Sequence, residues 1–344
     1  MKRLRGAVIG CGMIAEFHLR SWQRIPEVEI VALADPAREK AEDCRARYAP
    51  GATVYADFGE VLAGGSLDFV DVLSPPKFHA EHCRRAWGAG LHVACQKPLC
   101  ENLAEARGLV AELSGDQRLF CVHENHVYRP WFQRLLALHR EGFFGALRRV
   151  QLEQNDPTSP PQALNREAER GVLLQYGVHF ADMIRHLLGP PEQVTARLHR
   201  LNPEIRGESL AQVVFSYPGC TATIDVAWKN GVIAQGGAWL LGERAEAFYE
   251  GTMIRGADAR LRLTQGTQSV ADEIRSTTGD YVEAFYLFER AFADAMLGRG
   301  PEPQPAGENL QTLAMTFAGY TSAEQKSPVN FAEFARTSSI PLSP

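Results

Sequence analysis

The chain has no apolar run near the ~18 residues that a membrane-crossing helix needs, which excludes a helical membrane protein. It also has no long basic stretch and no alternation of basic and aromatic residues. With a formal net charge of −5, nothing in it is arranged to neutralise a nucleic-acid backbone. Cys-x-x-Cys pairs are missing. The seven cysteines (Cys11, Cys44, Cys83, Cys95, Cys100, Cys121, Cys220) are odd in number and scattered. That argues against a disulfide framework and for free thiols in a reducing compartment, the cytoplasm. Repeats and low-complexity blocks are absent, apart from the Pro- and Gly-rich link "GRGPEPQPAGEN". The opening "MKRLRGAVIGCGMIA" has the outline of a secretory leader, but its removal would delete the best motif in the chain. What remains is a globular composition, 45% hydrophobic and 22% charged over 344 residues, long enough for two domains.

That motif is "AVIGCGMIA". A buried strand ends at Ile9, and Gly10, Gly12 and Ala15 then form G-x-G-x-x-A ahead of a helix through Phe17, Leu19 and Trp22. Gly10 permits the tight turn, Gly12 lets a pyrophosphate reach the backbone, and Ala15 allows close helix–strand packing. Met13 and Ile14 lie in the turn at the helix N-terminus, which faces the phosphates. A second strand, "EIVALAD", ends at Asp35, 20 residues beyond Ala15. An acid there is placed to hold a ribose 2′-hydroxyl. It favours NAD, because a carboxylate repels a 2′-phosphate. Arg38 nearby leaves NADP open.

Strand and helix patterns continue to alternate: "LDFVDVLS", then "LHVACQ", then "RLFCVHE", each followed by a helix. Such alternation makes a doubly wound parallel sheet whose ligands sit at the carboxyl ends of the strands. Asp35, Ser74-Pro75-Pro76, Gln96-Lys97 and Glu124-Asn125 all fall at such ends. "VACQKPLC" is the sharpest of these. Lysine is rarely buried alone, and Pro98 forbids the strand from continuing as a paired one. The chain therefore presents one amine, Lys97, where a nicotinamide should lie.

Beyond about residue 146 the period changes to two. "GALRRVQLEQND", "EQVTARLHRL", "SLAQVVFSYPGCTATIDVAWKN" and "AEAFYEGTMIRG" read as antiparallel strands, and helices over about Asp280–Leu297 and Glu308–Glu324 follow. Gln151, Glu153 and Asn155 share a face, with Asn155 nearest the strand end and so best placed for substrate. Trp228 ends another strand and is a stacking platform for a sugar or a core aromatic. "GVLLQYGVHFADMIRHLLGPP" reads as a helix stopped by Gly189 and two prolines. On it Gln175, His179, Asp182 and His186 fall at i, i+4, i+7 and i+11, one polar stripe. His79-x-x-His82 and His123-x-x-His126 have the spacing of metal ligands but no evident third partner, so no metal is expected.

The chain resembles the glucose–fructose oxidoreductase / inositol dehydrogenase / MocA family of NAD(P)-dependent oxidoreductases. The likeness is carried by "GCGMIA", Asp35, "SPPKFHAEH", "CQKPL", "HENHVYRPWF", "GVHFADMIRHLLG" and "LAMTFAGYTSAEQ", from first strand to last helix. It implies an α/β protein, with a Rossmann doubly wound parallel sheet over 1–124 and an α+β domain on a large, mostly antiparallel sheet over 125–344. It also implies a catalytic pair, Lys97 and His179, with Gln175 as the orienting neighbour of the histidine. NAD would contact Gly10, Gly12, Met13, Ile14, Asp35, Ser74, Pro75, Pro76, His79, Gln96 and Lys97. Asn125, Tyr128, Asn155 and Trp228 would line the substrate pocket. Two positions depart from the family pattern: Gln96 replaces a glutamate, and Gln175 an aspartate. The glycine triplet before the helix is reduced to "ERG".

The expected reaction is hydride transfer between nicotinamide and a secondary hydroxyl or ketone of a sugar, cyclitol or similar polyol. His179 would take the hydroxyl proton and Lys97 would favour the alkoxide. Two alternatives remain open: redox-neutral sugar processing with retained NAD, as in a glycosidase or epimerase, and a non-catalytic NAD(P)-binding regulator. A homodimer or homotetramer is expected, with Val213, Phe215, Ile224, Val226 and Trp228 offering an apolar sheet face. A cis Lys97–Pro98 bond would turn the lysine off its strand.

Overall fold

A computed structural model of the chain describes residues 3–115, 117–156, 166–228, 235–251 and 258–342. They form two compact units: Met1–Asn125 with Val282–Asn309, and His126–Tyr281 with Leu310–Pro344.

The first unit is built on six parallel strands: β1 (Leu4–Ile9), β2 (Val28–Ala34), β3 (Thr53–Tyr55), β4 (Phe69–Val72), β5 (His92–Gln96) and β6 (Phe120–His123). Their order is β3-β2-β1-β4-β5-β6. The order reverses between β1 and β4, which opens a crevice at the carboxyl ends of the strands. Both faces of the sheet are covered. Ala7, Val8, Phe69, Val70, Val72, Val93 and Cys95 are fully buried, which is why these strands read as continuous apolar runs. From the order of patterns along the chain, the helix near 280–297 is expected in the second domain. Residues 282–309 instead belong to the first unit. In the helix Thr277–Met296, Phe285, Phe288 and Phe292 are buried. Phe285 stacks on Phe17 at 5.3 Å, and Phe292 meets Phe69 edge-on at 5.9 Å. Each such phenyl contributes roughly 2 kcal/mol of burial.

The second unit carries a nine-stranded sheet: β7 (Leu147–Asp156), β8 (Gln193–His199), β9 (Leu210–Tyr217), β10 (Cys220–Trp228), β11 (Gln235–Gly242), β12 (Ala245–Glu250), β13 (Asp258–Gln265), β14 (Gln268–Ser276) and β15 (Val329–Asn330). The order is β14-β13-β12-β11-β7-β10-β9-β8-β15. Every pair is antiparallel except β7 with β10. Val213, Phe215, Ile224, Val226 and Trp228 are at most 7% exposed, so the apolar face expected to bind another subunit is already covered within the chain. The outward face is mixed: Val214 and Ile274 are exposed on it and Trp239 and Phe248 are half-buried. Gln212 donates to Asp225 at 2.8 Å, Arg262 pairs with Glu250 at 3.1 Å, and Gln151 and Glu153 line a shallow groove with Trp239.

Candidate active site

The loop after β1 is shaped for a nucleotide. Gly10 has φ +100°, and a Cβ there would lie 2.7 Å from the backbone of Leu73 and Ser74. A side chain at Gly12 would meet nothing within 4 Å, leaving an open cradle at the start of the helix Ala15–Trp22. Met13 is exposed, and Ile14 packs on the core cluster around Val8 and Leu33. Asp35 follows β2. Its carboxylate accepts from the Cys11 N–H and the Ala37 N–H, both at 2.8 Å, which fixes it against the glycine turn. Each oxygen keeps a second lone pair for a ribose hydroxyl. These residues fit a dinucleotide.

Hydrogen bonds to a charged group are worth ~1.5–3 kcal/mol. Asp35→Ser is therefore expected to weaken NAD by about tenfold or more and to narrow the preference over NADP. Calorimetric titration with both dinucleotides checks this; equal affinity for the two in the native chain would contradict it.

Two loops flank the β4 and β5 strand ends. Ser74, Pro75 and Pro76 lead into the helix His79–Gly88. The buried His79 ring sits between two carbonyl oxygens, 2.7 Å from Ser74 and 2.9 Å from Pro98. Two acceptors invite two protons, but burial without a nearby anion lowers the ring pKa to about 4. The ring is therefore neutral and donates to one carbonyl at a time. The Ser74 hydroxyl meets His82 Nδ1 at 2.9 Å. The Lys97–Pro98 bond is cis. Burial pulls the Lys97 amine down to about 8, and the Glu124 carboxylate opposes that shift. Glu124, at the end of β6, was noted in the sequence only for its position; its charge beside Lys97 could not be read from spacing. Asn125 follows it and is also buried.

In the second unit, the His179 helix begins where Glu208 and Tyr320 satisfy its first four amides. The Glu208 carboxylate accepts from Gly171 and Leu173, both at 2.9 Å, and its backbone oxygen accepts from Val172 at 2.9 Å. The Tyr320 hydroxyl accepts from Leu174 at 3.1 Å. These are the groups a helix start leaves unpaired. A Cβ on Gly171 would lie 1.8 Å from the Glu208 oxygen, so the "ERG" glycine is the indispensable one.

Leu173–Gly177 form a π-helical turn ahead of the α-helix Val178–Leu188. The regular stripe expected from the spacing is thus interrupted between Gln175 and His179. Further along, the stripe serves structure: buried Asp182 accepts from Arg185 at 2.9 Å and from Thr312 at 2.6 Å. His179 is buried and stacks on His126, ring centroids 3.9 Å apart, with Tyr176 edge-on at 6.0 Å. His126 was weighed in the sequence only as a metal ligand; its place over His179 is a tertiary contact.

The strand register sets the face that Asn155 takes. Its Cα pairs with Ala227, whereas Gln154 pairs with Val226. Val226 faces the His179 segment, since a Cβ on Gly177 would lie 3.6 Å from it. Strand alternation therefore puts Gln154 and Trp228 on that face and Asn155 on the opposite one. Tyr128 is partly exposed at the end of the short turn Asn125–Tyr128. Among the described residues, metal-ligand types gather at His18, His123 and Glu289, within 4.8 Å of one another. His18 has no ring nitrogen to spare, because Asp71 takes Nδ1 at 2.9 Å and Gln96 takes Nε2 at 3.0 Å.

Residues 4–124 match the model of an oxidoreductase family with an NAD-binding Rossmann fold, and residues 132–248 match the GFO/IDH/MocA C-terminal domain. A D-apiose dehydrogenase from Paraburkholderia graminis is 30% identical, over 94% of this chain and 89% of its own length. An inositol 2-dehydrogenase from Rhizobium meliloti is 24% identical over 96% of this chain and 99% of its own. Among solved structures, an oxidoreductase from Agrobacterium radiobacter, in complex with NAD+, L-tartaric acid and magnesium, superposes with a TM-score of 0.86. It shares 23% identity and covers 96% of this chain and 99% of its own.

Proposed function

The chain belongs to the Gfo/Idh/MocA family of oxidoreductases, and from that premise we propose that it is an NAD-dependent dehydrogenase of a sugar, cyclitol or similar polyol. The observation that carries this reading is Lys97: a partly buried amine with an acidic neighbour, set at the carboxyl edge of a nucleotide-binding sheet. The named activities of the relatives, on D-apiose and on inositol, support the substrate class.

When bound, NAD supplies the hydride acceptor. Gly10 and Gly12 admit its pyrophosphate, and Asp35 holds its adenosine ribose. The loops at Ser74–Pro76, Gln96 and Lys97 form the wall beside the reacting carbon, with His79 tying two of them together. Lys97 donates to the substrate oxygen and stabilises the developing alkoxide. His179 accepts the hydroxyl proton, the general-base role that histidine fills most often. Gln175 orients that ring but brings no charge. Asn125, Tyr128 and Trp228 contribute to the polyol pocket, and Gln154 replaces Asn155 as the β7 residue on the His179 face. The seven unpaired thiols suit a reducing compartment such as the cytoplasm. The homodimer or homotetramer now rests on the family likeness alone.

The test is a panel of sugars, polyols and cyclitols with NAD and with NADP, followed by nicotinamide absorbance. Substrate-dependent NADH accumulation with at least one polyol is expected. Substrate consumed without free NADH would favour redox-neutral processing, and binding without turnover would favour a regulator.

A further inference from the structure

The residue before Lys97 is one of the two glutamines that depart from the family pattern, and the first unit shows what it holds. Gln96 is buried at the end of β5. Its Oε1 accepts from the Lys97 backbone N–H at 2.8 Å, and its Nε2 lies 3.0 Å from His18 Nε2. His18 is fully buried, and its Nδ1 lies 2.9 Å from Asp71 Oδ2, which also accepts from Trp22 Nε1 at 2.8 Å.

The donors settle the protons along this chain of contacts. A backbone N–H only donates, so it fixes which end of the Gln96 amide it meets. That turns the amide NH2 toward His18, and an NH2 also only donates. His18 Nε2 must then carry a bare lone pair, and the ring's single proton sits on Nδ1, donated to Asp71.

The other titratable groups facing His18 among the described residues are Glu289, whose Oε1 is 3.1 Å from Nδ1, and His123, whose ring centroid is 4.3 Å away. Burial opposes charge on His18, but Asp71 and Glu289 outweigh it, and the net balance of these effects raises its pKa to about 9. Two facts oppose that pull. Burial pushes the Glu289 carboxyl well up, toward its neutral form. And a second ring proton can go only to Nε2, where the Gln96 NH2 already points. To admit it, the amide must turn over and leave the Lys97 N–H facing another donor.

We infer that Gln96 is a positioning residue for Lys97, clamping its backbone through an amide whose orientation is locked by a neutral, Nδ1-protonated His18. The inference rests on the reading of Lys97 as the group that acts on the substrate oxygen. A glutamate at position 96 would keep the acceptor for the Lys97 N–H. Its second oxygen would draw a proton onto His18 Nε2, giving an imidazolium between two carboxylates with an anion next to Lys97.

The test combines nuclear magnetic resonance of isotope-labelled histidines with kinetics of Gln96→Glu and Gln96→Ala. In the native chain near neutral pH, His18 should show one protonated nitrogen, Nδ1; in Gln96→Glu it should show two. Gln96→Ala, which removes the clamp, should lower turnover by about tenfold or more, and Gln96→Glu should restore most of it with the alkaline limb of the pH profile moved upward. A doubly protonated His18 in the native chain would overturn the inference, as would equal losses in the two variants. The spectrum needs no substrate, so a failed substrate panel would remove the dehydrogenase reading and still leave the His18 result to decide this one.

Discussion

Lys97→Ala is expected to lower turnover by about 10²–10³-fold, the usual cost of losing one donor aimed at a developing oxyanion. NAD affinity should change far less. The effect is large because the amine acts in a partly buried setting, where a charge interacts more strongly than in water. The protonated amine is the active form. Because burial brings its pKa down to about 8, the lysine's contribution should be complete below that pH and fall as pH rises through it. Glu124 favours the charged amine, so Glu124→Gln should move this alkaline limb lower. Lys97→Arg keeps its charge at any accessible pH, so whatever activity it retains should lack the limb. Initial rates across pH, at saturating NAD, provide the readout. An unchanged limb in Lys97→Arg would assign it to another group.

His179→Ala should cost about 10²–10⁴-fold in turnover, the range for a lost general base. Because His179 and Lys97 are proposed to serve one transition state, the double variant should lose less than the product of the single losses. Gln175→Asp is the sharper probe. An anion near His179 favours its protonated form, so the acid-side limb, where the base must lose its proton, should move to higher pH. If the glutamine instead marks an altered reaction, the aspartate would strengthen ordinary dehydrogenase activity. Full turnover in His179→Ala with a proven substrate would remove His179 from the mechanism.

Much of this was legible because it is local. Gly10, Gly12 and Asp35 are bound by strand–turn–helix geometry that a short stretch of sequence specifies. Lys97 stands out because a strand cannot continue through Pro98. What was not legible depends on contacts distant in the chain. Phe285, Phe288 and Phe292 are an apolar helix face in either domain, and only their partners Phe17, Trp22 and Phe69 say which. Val213, Phe215 and Val226 alternate correctly for a buried face, but alternation does not say whether helices of the same chain or another subunit covers it. The face of Asn155 was hidden for a related reason: nearness to a strand end says nothing about which face the side chain takes, and one step along β7 reverses it. The π-helical turn at Leu173–Gly177 leaves no mark in a pattern built on 3.6 residues per turn.

The most direct test of the central claim follows the hydrogen itself. A polyol that turns over is supplied with deuterium on its carbinol carbon, and nicotinamide and product are analysed together. The account predicts one ketone formed per NADH, deuterium on the nicotinamide ring, and a slowed rate if hydride transfer limits turnover. Deuterium retained in or returned to the sugar product, with no net NADH, would contradict it.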